Sequence, residues 1–106
     1  MSYTHPLTGH PEAAKRRREA GRFLRDARVK AGLTQQQVAR ALGLDYYTMI
    51  SQIELGKTRV PPDKLQRMAE VLGCDRREFA KALLRFYDPC TWEMLFGPGV
   101  RTDSGN

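Results

Sequence analysis

The sequence predicts an all-α domain of five helices, and three observations carry that prediction. Apolar residues recur at three- and four-residue spacing in successive segments. Cap residues, glycines and prolines bracket those segments. No stretch alternates polar and apolar residues as a half-buried strand does. A chain of 106 residues has room for one such domain with a modest core.

In chain order, MSYTHPLTGH shows no periodicity and reads as flexible; His5 and His10 there carry no metal-ligand pattern. Pro11 fits the first turn of a helix, and good helix formers follow it. Gly21 weakens the pattern, so residues 1–18 are expected as a flexible basic arm and the helix as starting near Glu19. Leu24, Ala27 and Ala31 fall at helical spacing with Phe23 beside them, and Gly32 fits the position past the helix end. Thr34 caps the second helix, Gln37 completes a capping box, and Val38, Ala39 and Leu42 form its apolar stripe. Gly43 can take the positive φ of the joint, Leu44 is an apolar plug, and Asp45 is the expected cap of the third helix. There Ile50 and Ile53 share one face, while Thr48, Ser51, Gln52 and Leu55 point away from it. Pro61-Pro62 opens the fourth helix, with Leu65, Met68, Ala69 and Leu72 on its core side. Asp75 and Glu78 form a second capping box ahead of the stripe Phe79, Leu83 and Phe86, and Asp88-Pro89 ends that fifth helix. Residues 19–88 are therefore the domain, 89–97 an aromatic extension with room for one helical turn, and 98–106 a disordered tail.

Composition narrows the partner. The net charge is +6, and eight of the 18 Lys and Arg residues fall between His10 and Lys30 against three acids. An anionic partner fits this balance, as does a plain solvated helix face. Cys74 and Cys90 lie far apart with no histidine pair nearby, which is not a zinc pattern. The polar start is not a secretory signal, and no apolar run reaches the length needed to span a bilayer, so a cytoplasmic location is expected. No catalytic constellation, cofactor loop or metal site is visible.

The runs LRDARVKAGLTQQQVARALGL and ISQIELGKTRVPPDKLQRMAEVLG resemble the Cro/CI-type, or XRE-like, helix-turn-helix family of prokaryotes and phages. Leu24, Arg28, Gly32, Thr34, Gln35, Val38, Ala39, Gly43, Ile50, Ile53, Glu54, Gly56, Pro61, Leu65 and Ala69 are among the matching residues. The resemblance implies a five-helix lambda-repressor-like fold that binds double-stranded DNA, usually as a homodimer, to regulate transcription. It implies base reading by Tyr47, Thr48 and Gln52, joined by Ser51, which suits a base edge or a phosphate. Backbone contacts are expected from Gln35, Gln36, Tyr46, Lys57, Arg59, Arg16 and Arg17. Arg28 and Glu54 are implied as a partly buried salt bridge. The chain has one residue more than the common pattern between Gly43 and Ile50. One of Tyr46 and Tyr47 is therefore expected to pack under the turn and the other to face DNA. Phe86, Tyr87, Trp92, Leu95 and Phe96 are candidates for core closure or a dimer surface. The leading expectation is a repressor. An antitoxin that binds its operator and a toxin through the aromatic tail, and an adaptor without DNA binding, are the alternatives.

Overall fold

The structure, a computed structural model, describes residues 11–98. Helix α1 spans Pro11–Lys30, α2 Gln35–Ala41 and α3 Thr48–Glu54. A 3₁₀ turn at Pro62–Lys64 leads into α4, Leu65–Val71; α5 follows at Arg76–Tyr87 and α6 at Pro89–Phe96. No strand occurs among the described residues, and the all-α class agrees with the sequence. Expectations for residues 1–10, including His5 and His10, and for 99–106 of the tail lie outside the described residues.

Helix α1 is the spine, packed on α3 along one edge and α5 along the other, while α2 and α4 close the far side. Leu24, Val38, Ile50, Ile53, Met68, Leu72, Phe79 and Leu83 meet in one core, whereas Ala31, expected on the α1 stripe, is exposed in the turn just past the end of α1. Phe79, Ile53, Leu83 and Val38 are its largest fully buried side chains. Each contributes about 1.5–3 kcal/mol by leaving water. Phe23 lies at the α1–α5 seam, 6.2 Å from the Phe79 ring and 5.9 Å from Phe86, centre to centre.

Four local expectations change. First, α1 starts at Pro11, so residues 11–18 of the expected arm are helical. Gly21 is the reason that the helix runs through: it is buried where α1 crosses α3, and a Cβ there would collide with the Glu54 carbonyl. The glycine read as a weak point is a crossing point. Second, the N-cap of α3 is Tyr47, and no side chain, Asp45 included, caps that helix. The extra residue lengthens the α2–α3 turn instead of starting α3 earlier. Third, the Pro61-Pro62 entry winds as a tight 3₁₀ turn, Lys64 N–H donating to the Pro61 carbonyl at 2.9 Å, before α4 begins. Fourth, the Asp75 carboxylate accepts from Glu78 N–H at 3.0 Å without a reciprocal bond. The Thr34–Gln37 box is complete, at 3.1 and 2.8 Å.

The aromatic extension is a full helix, α6, that packs on α5. Two cation–aromatic rungs hold it: Arg85 lies 4.7 Å from the Trp92 ring centre and Lys81 4.6 Å from that of Phe96. Both pairs are four residues apart on their helices, so the two helices run antiparallel with the rungs in register.

Candidate nucleic-acid interface

The α2–α3 unit presents one polar surface. Ile50 and Ile53 are buried, and Leu44 and Met49 pack against the same core. This turns Thr48 outward and exposed, with Ser51 and Gln52 half-buried beside it. Leu44 alone plugs the turn. Tyr46 is 76% and Tyr47 52% exposed, so neither tyrosine packs under it, contrary to expectation. The lengthened turn therefore sets two phenols on the surface next to Thr48.

A polar clamp fixes the angle of α3. Arg28 grips Glu54 with two parallel bonds, Nε to Oε2 at 2.6 Å and Nη2 to Oε1 at 3.1 Å. Its Nη1 donates to the Leu33 carbonyl at 2.8 Å, and Gln35 Nε2 donates to Glu54 Oε1 at 3.0 Å. The two charged side chains are only 14% and 6% exposed. The Glu54 hydrogen bond raises the Arg28 pKa above its ordinary value, against the opposing effect of desolvation. One carboxylate thus ties the end of α3 to the end of α1 and the start of α2. Gln35, expected at a phosphate, has its amide engaged inside the fold. Gln36, next to it, is half-buried.

The remaining expected cations divide. Lys57 is exposed directly after α3. Arg59 instead pairs with Asp88 at 2.8 Å and lies 4.6 Å from the Tyr87 ring centre, so its guanidinium is held at the α5–α6 junction. Arg17 Nε donates to the Gly56 carbonyl at 3.2 Å. The Arg16 Nε is buried without a hydrogen-bond partner. Arg16 and Arg17 thus turn toward the protein rather than away from it.

The five aromatic and apolar dimer candidates divide too. Phe86 packs against Phe23 with the rings tilted by 49°, and the Tyr87 hydroxyl accepts from Val60 N–H at 3.2 Å, so both close the core. Burial pushes the Tyr87 phenol above its ordinary pKa of 10.0, partly offset by the Val60 N–H and the Arg59 and Arg17 charges. Trp92 is half-buried on the α5 rung. Leu95 at 64% and Phe96 at 47% remain exposed, together with Met94 at 86%, which sequence reasoning missed. Its only signal was an apolar residue off the Trp92–Phe96 side of a segment read as a single turn.

Cys74 and Cys90 are free thiols, and among the described residues no three metal-binding side chains cluster. None of the described helices is long and apolar enough to cross a membrane. No curated protein matches the chain. Residues 24–79, from the middle of α1 to the first turn of α5, match the family model described as Helix-turn-helix.

Proposed function

The chain belongs to the XRE-type helix-turn-helix family of DNA-binding transcription regulators, and we propose that it is a homodimeric repressor whose α3 enters the major groove. The observation that carries this is the pose of α3. Its apolar edge is buried, its polar edge faces out, and the Arg28–Glu54–Gln35 clamp holds it rigid. A helix backbone held in this way loses little freedom on docking, which favours discrimination between bases.

In this reading Gln52 pairs with an adenine edge, Thr48 and Ser51 contact neighbouring bases, and Tyr47 sits at the groove lip. Tyr46, Lys57 and the α2 residue Gln36 meet phosphates. Arg59 braces α6 rather than DNA. Dimerisation uses the exposed Met94 and Leu95 of α6, apolar side chains that a second copy would cover.

The antitoxin reading draws on the same end of the molecule. There a groove of about 700 Å³ between the 3₁₀ turn, α5 and α6 is lined by Leu65, Leu84, Leu95 and Phe96. A toxin segment in that groove would compete with the second copy, so a stable homodimer with no co-purifying partner favours the repressor.

Two substitutions test the division of labour. Gln52→Ala relaxes the preference at one base position, at a cost of about 1–3 kcal/mol on the preferred duplex. Lys57→Ala weakens all duplexes alike and lowers the salt slope by about 1. Equal losses on every sequence for Gln52→Ala would remove α3 as the reader.

A further inference from the structure

The matched family segment begins at residue 24, whereas α1 begins at Pro11. The helical stretch ahead of the match is fixed to the C-terminal end of α3 at two places. Gly21 lies against the Ile53 and Glu54 backbone, and a Cβ on Gly56 would come within 2.6 Å of the Arg18 Cα. Arg17 Nε adds its bond to the Gly56 carbonyl. The start of α1 is thus a built extension of the surface that ends α3.

The cations of α1 sort by direction. Arg28 and Arg17 are engaged inward, and the Arg16 Nε is buried. Lys15, Arg18, Arg22 and Arg25 are all exposed. At 100° per residue these four fall within an arc of about 80°. At 1.5 Å per residue they run about 15 Å along the helix. The acids Glu12, Glu19 and Asp26 lie along the edge of this row that is turned away from Gly21, and so away from α3. Among the described residues the row makes one ion pair, Arg25 with Asp26, at 3.9 Å and exposed on both sides. On the α3 side the row continues into Lys57, the residue after the Gly56 that touches Arg18.

Among the described residues, three of the four α1 cations in this row carry no ion pair, and the row starts beside the end of the helix proposed to read the groove. The major groove is about 12 Å wide, so such a row reaches its phosphate edge. We propose that Lys15, Arg18, Arg22, Arg25 and Lys57 form a phosphate-binding tract that grips the strand flanking the groove occupied by α3. The tract rests on that placement of α3. It adds affinity without sequence preference, and it replaces Arg16 and Arg17 as the cations that the start of α1 offers to DNA.

The test uses the full chain and sheared duplex DNA of mixed sequence across a salt series. The R18Q/R22Q/R25Q variant keeps good helix formers at exposed positions. Its plot of log affinity against log salt is expected to be shallower by about 2–3, since each phosphate contact accounts for about 0.9 of slope. R22Q alone is expected to change the slope by about 1, which keeps the test informative if the triple variant folds poorly. Wild-type slope and affinity in a triple variant with the wild-type melting temperature overturn the tract while leaving α3 as the reader. A wild-type chain that binds no duplex at low salt overturns both. Loss of binding to phosphatidylserine vesicles in the triple variant, with DNA binding intact, also overturns the tract, by assigning the row to a membrane surface.

Discussion

The Glu54 carboxylate is the residue on which the site depends most. It accepts from Arg28 and Gln35 while 6% exposed, so three segments meet at one charge. Its pairing with Arg28 was legible as a family resemblance. The Gln35 bond was not, because nothing in TQQQ distinguishes an amide that reaches phosphate from one that reaches inward. Removing Glu54 leaves a buried guanidinium uncompensated. Glu54→Ala is expected to cost about 3–5 kcal/mol, read as a fall in melting temperature, and unchanged melting would contradict the clamp. Tyr87 gives a pH signature. Its phenol is neutral in the fold with a pKa above the unfolded value of 10.0. Its contribution is therefore complete below pH 10 and declines as pH rises through the folded pKa. Tyr87→Phe is expected to flatten that decline in urea melts above pH 10. At neutral pH it is expected to cost about 1–3 kcal/mol by leaving the buried Val60 N–H without its acceptor.

At the scale of elements, the sequence spoke clearly where local and tertiary signals agreed. The Thr34–Gln37 box, the α5 stripe and the Asp88-Pro89 stop belong to this class. It misled where tertiary contact overrode propensity. Gly21 is unfavourable in an isolated helix yet required where two backbones cross. Asp45 is a strong cap type, but the lengthened turn places Tyr47 at that position. The sequence predicts a single turn where α6 forms; the helix has no buried member, and α5 stabilises it through the Lys81 and Arg85 rungs. Two different jobs are assigned to its sides, one holding α5 and one open. Met94→Ser with Leu95→Ser is expected to shift the chain from dimer to monomer in sedimentation while leaving the thermal melt of the monomer nearly unchanged. A dimer that survives the double substitution would move the interface elsewhere.

Across the whole molecule, chemistry is separated by end. The α3 edge, the two turn tyrosines, Lys57 and the outward row of α1 form a polar and basic side, while α6 and the groove beneath it form an apolar side. The basic run of α1 was legible as charge, but which cations face out was not. Direction depends on the crossing at Gly21, and no count of arginines contains it. The fold itself was legible because its helices satisfy capping and periodicity together. The candidate site was legible to the level of the outward polar edge of α3, whereas its margin at Tyr46 and Tyr47 depended on how the turn absorbed one residue. The most direct test of the account is selection by the full chain from a pool of randomised duplexes at physiological salt. The account predicts a two-fold symmetric consensus whose half-sites lie about 34 Å apart, one turn of the duplex. Retention of all sequences alike, or of none, would contradict it.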